Sequence, residues 1–253
     1  MKLNYKKLGE GEPLIILHGL FGMLDNWFTL GKKLAENYNV YLVDLRNHGQ
    51  SPHSADWNYK VMSNDLLDFF DEHNIGKANI IGHSMGGKTA MHFAGEHPER
   101  VKKLVVVDIA PRFYPIHHDT ILEALLSVDL ENLKSRNEAD QLLSKYISDS
   151  GTKQFLLKNL ARKENNNTKF EWKFNLSVIA ENIHEVGVET TGGSTVPTLF
   201  IRGDNSNYIN KSDEVEIKKL YPNSDITSIN SGHWVHAEKP EEFYNSVKNF
   251  LKN

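Results

Sequence analysis

The sequence predicts an α/β protein: a mostly parallel central sheet with helices on both faces and a helical insertion. Three observations predict it. Short apolar runs alternate with amphipathic stretches of helical period, the pattern of βαβ units. The runs are apolar without interruption, as strands covered on both faces of a parallel sheet are. Between about Pro111 and Thr191 the alternation stops and amphipathic helical segments replace it. A core domain is therefore expected over 1–110 and 192–253, with a helical cap over 111–191 inserted after the strand that ends near Asp108.

In chain order, a strand is expected around Leu3 to Leu8 and an apolar strand over Leu14 to Leu17. A helix over Asp25 to Asn37 leads to a second apolar strand, Val40 to Leu45. Next come a helix around Val61 to Glu72, a strand over Ala78 to Ile81, a helix beginning at Ser84 and a strand over Lys103 to Ile109. In the cap, Thr120 to Leu126, Ala139 to Ile147 and Lys153 to Ala161 have helical periodicity. The polar stretch Lys163 to Lys169 reads as a mobile loop. Val196 to Ile201 resumes an apolar strand and Asp225 to Ile229 suggests another. Pro240 to Leu251 closes the chain as a helix with Phe243, Val247 and Phe250 on one side.

With 39% hydrophobic and 25% charged side chains over 253 residues, the chain can bury one large core. A formal net charge of −4 without a basic cluster leaves no footprint for nucleic acid or an anionic membrane. The first residues lack the apolar run of a signal peptide, and no apolar stretch is long enough to span a bilayer, so a cytoplasmic protein is expected. Without that signal the sequon at Asn166 is expected to be incidental. Cysteine is absent, which removes disulfides, thiolate metal sites and a thiol nucleophile.

Chemistry concentrates in a few segments. Gly82-His83-Ser84-Met85-Gly86 is a G-x-S-x-G motif set between an expected strand and an expected helix. That context belongs to the nucleophile turn of the α/β-hydrolase fold, where small flanking residues allow a sharp bend and the serine hydroxyl projects near the positive end of the helix. A hydroxyl needs a base to take its proton. His233, in Ser231-Gly232-His233-Trp234 between the last strand and the last helix, stands where the order serine, acid, histidine puts that base. His236 reads as a packing or surface residue, and His117 and His118 as solvated cap residues without a metal.

Two carboxylates compete to orient the base: Asp108 after Val105-Val106-Val107, and Asp204 after Phe200-Ile201-Arg202-Gly203. Many members of this fold carry the acid three residues beyond the glycine that ends the later strand. Counting from Gly203 reaches Ser206, which favours Asp108. The competing reading of Asp108 is a strand-end carboxylate that accepts backbone N–H bonds, as Asp44 is expected to do. Donors for an oxyanion are expected from the N–H of Met85 and, in the loop Leu17 to Gly22, from the N–H of Leu20 or failing that Phe21. His18 is expected to hold that loop.

The runs HGLFGMLDNW, DLRNHGQSPH, GHSMGGKTAM, VVVDIAP and SGHWVHAEKP together resemble the YbfF-type esterases of the α/β-hydrolase superfamily, as do QFLLKN and WKFN in the cap. The resemblance spans nearly the whole chain. It implies a cofactor-free esterase acting on short acyl esters, with thioesters as a further substrate class, and it places the triad acid at Asp108. It also implies that the cap covers the nucleophile and that Phe21, Met85, Trp234 and cap side chains shape the acyl pocket. The expected partner is thus a small-molecule ester or thioester, with no metal, nucleic acid or membrane, and the protein a monomer or homodimer. Because the base must be neutral, activity should rise with pH through about 6 to 7. The alternatives are a non-catalytic ligand-binding relative and a triad-bearing C–C hydrolase or lyase.

Overall fold

The computed structural model describes residues 1–115 and 118–252. Five apolar runs and two more polar stretches form strands that join into one seven-stranded sheet. They are β1 (Tyr5–Leu8), β2 (Glu12–Leu17), β3 (Tyr38–Val43), β4 (Ala78–His83), β5 (Val101–Val107), β8 (Thr198–Gly203) and β9 (Ser224–Ile229), in the order β1-β3-β2-β4-β5-β8-β9. Only β1 pairs antiparallel, with β3; the other neighbours in the sheet are parallel.

Alternation along the strands sends side chains to two cores. Ile15, Leu17, Ile80, Val106 and Phe200 pack beneath α2 (Tyr59–Glu72) and α3 (Met85–Glu96). Leu14, Ile16, Ile81, Val105 and Ile201 pack against Trp27, α1 (Phe28–Leu34) and α11 (Pro240–Lys252). Each fully buried side chain of this kind contributes about 1.5–3 kcal/mol, which explains why strands of six or seven residues suffice. Parallel register brings Leu17 opposite Gly82, His83 opposite Val107, and Val107 opposite Ile201. The loops after β2, β4, β5 and β8 therefore emerge at one edge of the sheet, where α/β proteins build sites.

Local capping sets several helix starts. Asn58 accepts from the Val61 N–H ahead of α2. Ser135 and Asp149 do the same for α5 (Arg136–Leu143) and α6 (Ser150–Leu157). The helix expected over Asp25 to Asn37 is shorter, because Leu24–Trp27 forms a 3₁₀ turn before α1. A further helix, α9 (Asp213–Leu220), stands between β8 and β9 and was not expected from the sequence; α10 (Val235–Glu238) is a single turn before α11.

Between β5 and β8, among the described residues, no strand joins the central sheet. This segment contains α4 (Asp119–Leu126), α5, α6, α7 (Leu176–Glu181) and α8 (His184–Gly187). It is not purely helical, however. β6 (Leu160–Lys163) and β7 (Asn166–Trp172) pair antiparallel, so the stretch expected to be a loop at Lys163 to Lys169 is a hairpin. Its driving force lies at its end: Phe170 and Trp172 are buried and Trp172 stacks on Phe174, while in the polar part Asn166 pairs with Lys163. Among the described residues no helix is long and apolar enough to cross a membrane.

Candidate active site

The turn between β4 and α3 is built by two glycines and one strained serine. A Cβ on Gly82 would lie 2.3 Å from the Gly86 carbonyl oxygen, and a Cβ on Gly86 would lie 2.5 Å from that of His18 and 2.6 Å from that of Leu17. Only glycine lets strand, helix and the β2 loop approach so closely. Ser84 itself has φ 53° and ψ −117°, a conformation that costs about 1–3 kcal/mol and persists only when its surroundings impose it. Here they do. Its N–H donates to the Val107 carbonyl at 3.0 Å and its carbonyl accepts from Lys88 N at 3.0 Å, while the side chain opens onto a cavity.

His233, on the loop after β9, lines the same cavity. Its Nδ1 lies 2.7 Å from Asp108 Oδ2. A carboxylate only accepts, so Nδ1 carries the proton and Nε2 is left with a free lone pair. Asp108 is wholly buried and fully engaged: Oδ1 accepts from the Gly203 N–H at 3.0 Å, and Oδ2 also accepts from the Ser206 hydroxyl. Ser206, the position reached by counting from Gly203, thus supports the Asp108 carboxylate. Asp204 is exposed and its N–H pairs with the Ile229 carbonyl, so it is not brought to the imidazole. Among the described residues no hydrogen bond joins the Ser84 hydroxyl to His233, a looseness common where no substrate is bound.

Two further contacts fix the imidazole. The Tyr208 ring stacks on it with centroids 3.9 Å apart and planes 21° apart. His83 Nε2 donates to the His233 carbonyl at 2.9 Å. Burial, and then the neighbouring His233 and His236, hold the His83 pKa well below the ordinary imidazole range, which keeps that ring neutral.

On the facing loop, Phe21 takes φ 56° above a tight turn closed by Gly22 N–H to Gly19 O at 2.9 Å. The Phe21 N–H is already used, donating to His48 Nε2 at 3.2 Å. Among the described residues the N–H groups of Leu20 and Met85 have no partner within the protein. Of the loop donors expected from the sequence, Leu20 is therefore the one left free. His18 holds the loop as expected: Nδ1–H donates to the Gly19 carbonyl at 2.8 Å and Nε2 accepts from Leu45 N at 3.0 Å. Burial lowers its pKa to about 4, so it stays neutral in this role.

A match between the family model of the α/β hydrolase fold and residues 12–240 agrees with the sheet order, the serine turn and the buried pair of Asp108 and His233. The chain belongs to the α/β-hydrolase family. It is 36% identical over its whole length to Esterase YbfF of Escherichia coli, all of which is covered. It is 37% identical to the sn-1-specific diacylglycerol lipase ABHD11 of Mus musculus, over 99% of this chain and 85% of that protein. A solved structure described as a marine microorganism esterase superposes with a TM-score of 0.95 at 43% identity, over 98% of this chain and 99% of that one. The protein is a YbfF-type α/β-hydrolase and a carboxylesterase.

The cavity of this esterase has a volume of about 310 Å³. Phe21 and Trp234 both line it. Phe21 packs on Phe174 with centroids 5.0 Å apart, and its carbonyl accepts from Asn159 Nδ2 at 2.8 Å, tying the loop to the β5–β8 segment. Trp234 is half-buried, with its ring 5.5 Å from Phe155 across the cavity. Three sequence expectations change or sharpen. His118, read as solvated, is half-buried on the cavity wall; His117 lies outside the described residues. His236 is a packing residue, stacked on Trp27 at 4.0 Å. Asp44 does accept backbone N–H bonds, from Leu24 at 2.7 Å and Gln50 at 2.9 Å. Sequence reasoning missed Tyr208, which has no motif around it, and reached Ser206 by counting without assigning it a role.

Proposed function

We propose that this esterase cleaves acyl esters, including thioesters, through a Ser84–His233–Asp108 triad and an acyl-enzyme, with 111–191 acting as a cap over the nucleophile. His233 Nε2 takes the proton from Ser84 Oγ as that oxygen bonds to the ester carbonyl carbon. The carbonyl π-electrons move to its oxygen, and the N–H groups of Leu20 and Met85 donate hydrogen bonds to the resulting oxyanion. Collapse expels the alcohol or thiol, which receives the proton from His233. Water, deprotonated by His233, then attacks the acyl carbon, and collapse expels Ser84 Oγ, which takes the proton back from His233 as the acid leaves. Asp108 holds Nδ1–H throughout and stabilises the imidazolium.

The observation that carries this reading is the 2.7 Å contact between His233 Nδ1 and a carboxylate that is fully buried and hydrogen-bonded on both oxygens, beside a cavity shared with Ser84. Buried polar groups arranged this way serve to orient an imidazole. Short acyl groups fit the cavity, whose 310 Å³ stands at the small end of ligand sites, about 300–1,000 Å³. Phe21 and Trp234 supply its apolar walls.

The test is hydrolysis of p-nitrophenyl esters from acetate to palmitate at neutral pH by the wild type and Ser84→Ala. A loss of about 10⁴-fold or more in kcat for Ser84→Ala, with the wild type fastest on short chains, is expected. Comparable turnover by both proteins refutes Ser84 as nucleophile, and a palmitate optimum refutes the short-acyl assignment.

A further inference from the structure

Lys88 is one turn into α3, its N–H bonded to the Ser84 carbonyl, and its side chain is completely buried. Burial, and then the Arg112 guanidinium, lower its pKa to about 7, so the interior is a poor place for this ammonium. An apolar residue would pack a core helix more cheaply. What Lys88 does with its three donors is specific. Nζ donates to the carbonyls of Arg112 at 2.9 Å, Gly187 at 3.3 Å and Val188. Arg112 lies on the connection that leaves the sheet after β5. Gly187 and Val188 lie on the connection that returns to β8. One side chain thus binds both covalent links between the sheet and the β5–β8 segment.

The two links are themselves in close contact. Tyr114 N donates to the Gly187 carbonyl at 2.9 Å and Thr190 N to the Pro111 carbonyl at 2.7 Å. A Cβ on Gly187 would lie 2.2 Å from the Tyr114 carbonyl oxygen, so the approach requires glycine. From this junction a bonded path runs to the imidazole. The Tyr114 hydroxyl accepts from Ala110 N at 2.8 Å and donates to the Tyr208 carbonyl, and the Tyr208 ring lies on His233.

We propose that Lys88 is a positioning residue: it clamps both hinges of the β5–β8 segment to the nucleophile helix and, through Tyr114 and Tyr208, sets the placement of His233. The second half rests on the triad reading above; the clamp does not. An isosteric Lys88→Met keeps the bulk and removes the donor shared by the Arg112, Gly187 and Val188 carbonyls, leaving the Gly187 carbonyl only its bond from Tyr114 N. The hinge loosens, the Tyr208 ring shifts, and the imidazole loses its alignment with Ser84. Misplacement by an ångström is enough to cost a large factor in rate.

The test compares wild type, Lys88→Met and Gly187→Ala by backbone hydrogen exchange and by kcat and KM on p-nitrophenyl acetate, well below each Tm. Exchange of the Tyr114 and Thr190 amides is expected to quicken about tenfold in both variants, with α3 amides unmoved. The value of kcat is expected to fall roughly tenfold to a hundredfold while KM changes far less. Because the chain has no cysteine, Lys88→Cys can be alkylated at that one thiol with bromoethylamine in denaturant and refolded, which restores an ammonium at nearly the native reach. That product is expected to recover both slow exchange and kcat, a rescue that lost packing alone does not predict. Unchanged hinge exchange in Lys88→Met overturns the clamp. Faster exchange with unchanged kcat overturns the link to His233. A wild type without esterase activity whose hinges nonetheless loosen in Lys88→Met refutes the triad reading and leaves the clamp standing.

Discussion

Asp108→Asn exchanges one oxygen for an amide nitrogen at a point where every neighbour is known. Asp108 Oδ1 accepts from Gly203 N, and Oδ2 accepts from Ser206 Oγ and His233 Nδ1. If the asparagine keeps its oxygen toward Gly203, its NH₂ faces Nδ1, and the imidazole must carry its proton on Nε2, where it cannot act as base toward Ser84. If the amide turns over, its NH₂ faces the Gly203 N–H, donor against donor in a fully buried place, at a cost of about 1–3 kcal/mol. Either way the carboxylate charge that stabilises the imidazolium is gone, a charge-assisted hydrogen bond worth about 1.5–3 kcal/mol. The sum, about 2.5–6 kcal/mol, corresponds to a loss of roughly 10²- to 10⁴-fold in kcat. The assay is initial-rate hydrolysis of p-nitrophenyl acetate, with near-UV circular dichroism to show an intact fold. Asp204→Asn, at the exposed competitor, is the control and is expected to stay within about threefold of wild type. Asp108→Asn retaining more than about a tenth of wild-type kcat, or Asp204→Asn losing as much as Asp108→Asn, refutes the assignment.

Three other outcomes follow from named contacts. Ser206→Ala removes a donor to the Asp108 carboxylate and should lower kcat/KM by about tenfold while the protein stays folded; an unchanged rate assigns that hydroxyl no part in holding the acid. Gly86→Ala drives a Cβ into the Leu17 and His18 carbonyls, and a fall in Tm of several degrees or failure to fold is expected, whereas an unchanged Tm contradicts the close packing of this turn. Burial, the leading cause in each case, lowers the pKa values of His18 to about 4 and of His48 and His236 to about 3, so these rings are neutral when folded. An unfolded histidine protonates near 6.5; below that pH the unfolded chain binds more protons, so stability is intact above about 6.5 and drains away as pH falls toward 4 and 3. At pH 5 each ring contributes a loss of about 2 kcal/mol, together on the order of 10 °C in Tm relative to pH 7.5, and a flat Tm across that interval contradicts buried neutral histidines.

What could be read from the sequence was whatever chemistry is local. Continuous apolar runs mark strands covered on both faces because burial on each side leaves no room for alternation, and the five such runs form the middle of one sheet, with the more polar β1 and β9 at its edges. Ser84 could be proposed as the nucleophile because strand, glycines and helix start lie within a few residues of it, and His233 as the base because chain order leaves few other places for one. The β6–β7 hairpin was not legible, since a polar strand owes its structure to a partner strand and to Phe170 and Trp172 at its end. Asp108 and Asp204 each follow an apolar strand, so nothing local separates them by geometry. The packing of β5 beside β8 does: it turns Asp108 toward Gly203 N, Ser206 and His233 and leaves Asp204 in solvent. Tyr208 on the imidazole and Lys88 on the two hinges belong to the same class. Sequence carries propensity and order along the chain, while contacts between residues scores of positions apart exist only once the sheet has set which strands are neighbours.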